Sequence, residues 1–188
     1  MSGNVTGTGS ILVRGSGILP SGDYTEFFGC GGGKLEFQSK GSQSFEVLSN
    51  MPPIEGVTLR GPGELIIANS SVNICSDFNI TGSASVIAAN SSLLTVGGNT
   101  EINSGSINFR QGNALLEGDF VITESPGPFF PLLGSASSGN NGTLTIGGNF
   151  ELGGNGINLG TVFRETHLEG NLEKLSNPSS GSIQDGTG

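Results

Sequence analysis

Apolar and polar residues alternate in five nine-residue stretches of the chain, at 72–80 (VNICSDFNI), 94–102 (LTVGGNTEI), 114–122 (ALLEGDFVI), 144–152 (LTIGGNFEL) and 166–174 (THLEGNLEK). Counting from zero, the even offsets are mostly apolar, as in Val72, Ile74, Phe78 and Ile80, or Leu144, Ile146, Phe150 and Leu152. The odd offsets are mostly polar, as in Thr95, Glu101, Thr145, Glu151, His167 and Glu173. A period of two predicts strands with one buried face. The alternation is interrupted at the centre of each unit. There the fifth residue is always small (Ser76, Gly98, Gly118, Gly148, Gly170) and the sixth is always Asp or Asn (Asp77, Asn99, Asp119, Asn149, Asn171). Gly and Asn accept backbone conformations that other residues resist, so each unit reads as strand, corner, strand.

Successive units are offset by 22, 20, 30 and 22 residues. Such a unit cannot bury its apolar face alone and must stack on its neighbours. An all-β fold follows, a parallel β-helix (β-solenoid) with coils of about 20–22 residues. In it the units form columns: Phe78, Thr100, Phe120, Phe150 and Leu172 in one, Ile74, Val96, Leu116, Ile146 and Leu168 in another. An antiparallel β-sandwich also has short, regularly spaced strands, but gives no reason for the corner pair to recur between the same flanks. Lys174 stands where an aliphatic belongs, so the last unit marks a bulge or the fraying end of the stack.

Before residue 72 the repeat is weaker, but runs such as SILVRGSGIL, GKLEFQS and GVTLRGPGELII keep the strand signature and extend the solenoid toward the N-terminus. The whole of 1–188 is expected to be one solenoid segment of a larger protein, with 1–14 and 176–188 peripheral or frayed. The long offset between Gly118 and Gly148 places an insertion at 124–141. Its three prolines forbid regular pairing, while Phe129, Phe130, Leu132 and Leu133 make it the most apolar loop. Those four side chains either fold back over the core or form a contact for a partner. Cys30 and Cys75 are 45 residues apart, about two coils. Equivalent positions two coils apart lie roughly 9–10 Å from each other, beyond disulfide reach, so the two are expected not to be bonded.

Composition narrows the function. Gly supplies 34 positions, Ser 25 and Asn 17, which excludes a helical protein. At 34% hydrophobic and only 12% charged, the chain is too apolar and too weakly charged for a disordered tail. A net charge of −9 repels phosphate backbones and anionic lipid, which argues against nucleic-acid binding, and no apolar run is long enough to span a membrane. MSGNVTGTGS carries neither the basic nor the apolar region of a secretory signal. Sequons begin at Asn4, Asn69, Asn79, Asn90 and Asn141, as chance produces in a chain this rich in Asn, Ser and Thr.

Candidate chemistry is sparse. His167, the sole histidine, lies at an outward offset between Glu165 and Glu169, and no Gly-x-Ser-x-Gly elbow accompanies it. GGGK at 31–34 lacks the spacing and the Ser/Thr of a phosphate loop. Glu101, Glu151 and Glu173 share an outward column interrupted by Val121, and paired carboxylates are what glycosidic cleavage needs. The repeat places no basic partner among them, and a solvated acidic stripe is the simpler reading. GGNGIN at 153–158 has Asn where a repeat-type calcium site needs Asp. Thr95 and Thr145 share a column with Leu115 and His167, which breaks the threonine array that ice binding requires. No catalytic, cofactor-binding or metal-ligating residue is therefore assigned, and no cofactor is expected.

The stretch GDYTEFFGCGGGKLEFQSKGSQSFEVL at 22–48, PPIEGVTLRGPGELIIANSSVNICSDFNI at 52–80, and the Gly-Asn units after them resemble the large repetitive surface and secreted proteins of Bacteroidetes bacteria. The resemblance spans roughly residues 15–175. It implies export by the type IX system through a separate C-terminal signal, an extracellular or cell-surface location, and a non-catalytic role as a stalk or adhesin segment. The partners it implies are neighbouring domains of the same polypeptide and possible contacts with extracellular glycans or other proteins. The alternative on the same scaffold is a carbohydrate-binding or polysaccharide-degrading β-helix module.

Overall fold

The computed structural model describes residues 4–14, 23–38, 44–46, 51–62, 64–68, 71–81, 85–89, 93–103, 106–108, 112–123, 142–153, 156–158, 165–174 and 182–184. Among them there is no helix. The strands are, in chain order, β1 (Ser10–Val13), β2 (Lys34–Gln38), β3 (Ser44–Glu46), β4 (Val57–Arg60), β5 (Glu64–Ala68), β6 (Ser71–Ile74) and β7 (Phe78–Thr81). There follow β8 (Ser85–Ala89), β9 (Leu93–Val96), β10 (Thr100–Ile102), β11 (Ser106–Asn108), β12 (Asn113–Leu116) and β13 (Phe120–Ile122). The last six are β14 (Thr143–Ile146), β15 (Phe150–Leu152), β16 (Gly156–Asn158), β17 (Glu165–Leu168), β18 (Leu172–Lys174) and β19 (Ser182–Gln184).

Every pairing between these strands is parallel and joins one coil to the next, which makes the fold a β-solenoid. One wall is an eight-stranded sheet in the order β1-β2-β4-β7-β10-β13-β15-β18. A second wall runs β6-β9-β12-β14-β17, and a third contains β3-β5-β8-β11, with β16 paired to β19. The predicted columns are the observed registers. Phe78 pairs with Thr100, Thr100 with Phe120, Phe120 with Phe150 and Phe150 with Leu172. Ile74, Val96, Leu116, Ile146 and Leu168 align in the same way.

The inward columns form the core because each coil leaves its even-offset side chains nowhere else to go. Phe78, Phe120, Ile74, Ile80, Leu94, Val96, Ile102, Leu116, Leu144 and Ile146 are all fully buried. The rings of Phe120 and Phe150 stack at 5.2 Å, nearly coplanar at 10°. Thr100 is a buried polar residue in this column, and its hydroxyl has no hydrogen-bond partner. The weak N-terminal repeats belong to the same walls: Leu35 pairs with Val57 and Val57 with Phe78. Both stretches expected to be peripheral contribute an edge strand, β1 on β2 and β19 on β16. The insertion at 124–141, with Phe129, Phe130, Leu132 and Leu133, lies outside the described residues.

The corner glycines correct one expectation. None of Gly98, Gly118, Gly148 and Gly170 adopts a left-handed φ, so the bend does not need their conformational freedom. What it needs is room between coils. A Cβ on Gly98 would fall 2.6 Å from the Asp77 Oδ1, and one on Gly148 2.6 Å from the carbonyl carbon of Gly118. At Gly98, Gly118, Gly148 and Gly170 the corner beneath lies too close for a Cβ, whereas Ser76, at the same position in the first unit, stacks on the Glu55 coil rather than on another such corner.

Candidate functional site

The repeated corner and one atypical corner near the N-terminus hold the polar organisation of the described residues. In the repeated corner the Asp or Asn column is a hydrogen-bonded ladder. The Asn99 amide donates to Asp77 Oδ1 at 3.0 Å, the Asp119 amide to Asn99 Oδ1 at 3.0 Å, the Asn149 amide to Asp119 Oδ1 at 2.7 Å, and the Asn171 amide to Asn149 Oδ1 at 3.0 Å. The backbone answers in the opposite sense. Phe78, Thr100, Phe120 and Phe150 donate their amides to the carbonyls of Asn99, Asp119, Asn149 and Asn171 in the coil above. At a bend the amide of the sixth residue has no strand carbonyl opposite it, and an unpaired backbone group is costly. A short side chain ending in an acceptor supplies the missing partner, which explains why this column is always Asp or Asn. The recurrence of those residues was visible in the sequence. Their role was not, because a bend alone also favours Asn and Asp.

The atypical corner precedes β2. Tyr24 accepts hydrogen bonds from the amides of Phe27 and Phe28, and the turn closes through Gly32 N–H to Gly29 O at 2.9 Å and Gly33 N–H to Phe27 O at 2.7 Å. Gly31 has φ +85°, a left-handed conformation that favours glycine there. Phe27 and Phe28 are buried and join the core cluster, edge to face at 5.0 Å, while Phe28 stacks on Tyr24. Asp23 steadies the start of the turn. Its carboxylate accepts from the Thr25 hydroxyl at 2.6 Å and the Thr25 amide at 3.0 Å, and these bonds hold its pKa below the ordinary value.

This corner overturns the expectation for the cysteines. Cys30 and Cys75 form a disulfide, with 5.3 Å between their Cα atoms. The expectation treated both as wall positions in equivalent columns. Cys75 is one: it opens the corner after β6, and its coil rests on Glu55, whose carbonyl accepts from Ser76. The residue below Glu55 is Gly33, which accepts the Glu55 amide, so Cys30 is three residues out of register. It sits in the turn rather than the wall, and the turn reaches up past the middle coil. The Gly31 amide donates to Glu55 Oε2 at 2.6 Å on the way. GGGK at 31–34 is thus the end of this turn and the first residue of β2.

Other sequence candidates are placed as follows. Glu101, Val121, Glu151 and Glu173 are directly paired outward neighbours on β10, β13, β15 and β18. Thr95, Leu115, Thr145 and His167 form the outward column of the second wall. Asn158, at the end of the calcium-like motif, is in β16 and pairs with Gln184. Among the described residues no group of three or more His, Cys, Asp or Glu is arranged to hold a metal ion. Compared with known proteins, the chain matches no family model, no curated protein and no solved structure.

Proposed function

We propose that the chain is a non-catalytic rod segment of a larger bacterial cell-surface or secreted protein, acting as a stalk or as part of an adhesive filament. The observation that carries this reading is the unbroken eight-stranded parallel wall, β1 to β18, in which every coil is tied to the next by backbone pairing and a continuous apolar column. Such a body resists bending because any bend must separate coils along the whole stack. The disulfide supports the extracellular part of the reading, since disulfides persist in oxidising compartments and are rare in the cytosol. The abundant Ser, Thr and Asn on outward positions keep the rod hydrated without strong charge.

The reading is tested on two fronts. Antibodies raised against the 188-residue chain are expected to label intact cells of the source bacterium from outside. Labelling confined to permeabilised cells would refute the location. The chain is also incubated with a panel of bacterial and plant polysaccharides. Chain cleavage that disappears in Glu151→Gln would replace the rod by a polysaccharide-degrading module built on the paired Glu151 and Glu173.

A further inference from the structure

The charges on the outer face of the eight-stranded wall are sorted along its length. Arg14, Lys34 and Arg60 project outward from its first three strands, and all three are exposed. From Asp77 upward the described outward charges on this wall are all acidic: Asp77, Glu101, Asp119, Glu151 and Glu173. Glu36 alone breaks the division. In a chain of net charge −9, every arginine or lysine whose side chain is described stands in one half of one face.

The strand registers carry these residues in straight outward columns. Lys34 and Asp119 share the corner column, because Leu35, Val57, Phe78, Thr100 and Phe120, which follow the corner positions, pair in turn. Glu36, Glu101, Val121 and Glu151 share the middle column. Arg14 and Arg60 stand in a third, one residue beyond Val13 and Leu59.

We infer that this wall pairs with the same wall of a second copy, the two solenoids running antiparallel. A two-fold axis along the strands and over β7 lays β4 of one copy on β10 of the other, β2 on β13, and β1 on β15. Lys34 then stands opposite Asp119 of the second copy. Arg60 and Arg14 stand one column away from its Glu101 and Glu151, within reach of a long side chain across a gap of about 10 Å between sheet faces. Val121 interrupts the acidic column at the position that meets Glu36, so the one acid of the basic half faces no like charge. The like charges that do meet are the two copies of Asp77, at the axis. A parallel arrangement would instead lay the acidic half on itself, which like-charge repulsion opposes.

Seven strands by three outward positions cover on the order of 400–500 Å² per copy, at the low end for a specific interface, so the pair is weak and populates at about 0.1–1 mM. Exposed ion pairs fix its orientation more than its strength. The pairing does not depend on where the protein is located.

Small-angle scattering of the 188-residue chain over a concentration series up to about 1 mM reads the dimer fraction. Arg60→Glu and Glu101→Arg are each expected to weaken association at least about fivefold, and the double variant, which restores opposite charges, to return within about twofold of the wild type. Glu101→Arg also lowers the net negative charge, so stronger association in that variant would reveal general repulsion between copies and overturn the inference. Failure of the double variant to recover overturns it as well, as does a chain that stays monomeric throughout the series. Asp77→Asn keeps an acceptor for the Asn99 amide, as Asn99 itself does for Asp119, and is expected to tighten the dimer. An unchanged or weaker dimer there rules out an axis over β7. Orientation is read by mixing isotope-labelled chain with unlabelled Val121→Cys carrying a nitroxide. Amides of β1 and β2 are expected to broaden while those of β15 and β18 stay sharp, and the reverse would overturn the antiparallel pairing.

Discussion

Removing the Cys30–Cys75 bridge is expected to destabilise the N-terminal coils far more than any single surface change. The bridge closes a loop of 45 residues, and the chain-entropy relation gives about 4 kcal/mol at 25 °C for a loop of that length. In a chain of this size that corresponds to a fall of roughly 8–16 °C in Tm. The effect should be local as well as large. Once the bridge is open, the turn keeps its own short bonds, the backbone pairings of Asp23 with Val5 and of Gly33 with Glu55, the Gly31 to Glu55 contact and the burial of Phe27 and Phe28, but loses its one covalent tie to the β6 coil. The assay is a thermal melt of Cys30→Ser/Cys75→Ser beside the wild-type chain with and without reductant, followed by hydrogen exchange. Faster exchange is expected across β2 and β4 and little change across β14 and β15. A double variant that melts within about 2 °C of the oxidised wild type would refute the view that this corner is a locked cap. Uniform loss of protection through β15 would show that the coils do not unfold separately.

Further outcomes follow from single positions. Phe120→Ala should cost about 3–5 kcal/mol in chemical denaturation, since it removes a fully buried ring stacked on Phe150, and an unchanged midpoint would contradict the shared column. Gly118→Ala should cost at least about 1–3 kcal/mol, because its Cβ would lie 2.5 Å from the Gly98 carbonyl oxygen, whereas a gain in stability would mean the glycine is there for flexibility. Thr100→Val should stabilise by about 1 kcal/mol in the same assay, since it replaces an unpartnered buried hydroxyl with a methyl group of similar volume. A loss instead would reveal a partner for that hydroxyl.

The walls were legible in the sequence because two signals agreed. Alternation assigned Ile74, Phe78 and their equivalents to the inside, and the recurring Gly-Asn corner fixed how each unit aligns with the next. The coil offsets therefore predicted pairs such as Phe120 with Phe150 across a 30-residue gap. The cap was not legible for the opposite reason. The turn from Asp23 to Gly33 has no second copy to align with, so nothing showed that Cys30 leaves the wall. Counting residues measures height along a solenoid only for chain that lies in a coil. A turn standing outside the wall spans coils at no cost in register, as the contact from Gly31 to Glu55 shows. The glycine columns were read as bends because backbone freedom is a property of one residue, while their actual constraint lies in the coil beneath.

The central claim is that every coil adds one strand spacing to the wall, whatever its length in residues. Spin labels on the outward column test it most directly, with one label fixed at Glu173 and the second moved to Asn79, Thr58 or Glu36, which lie four, five and six strands away. At about 4.8 Å per strand the backbone separations should be roughly 19, 24 and 29 Å, before allowance for the label arms. Pulsed dipolar spectroscopy should therefore show three distributions rising in equal steps, with the 30-residue passage from Val121 to Glu151 counting for no more than the 20-residue passage from Glu101 to Val121. Distances that fail to rise in equal steps, or a gap of more than one strand spacing across that long passage, would contradict the in-register solenoid.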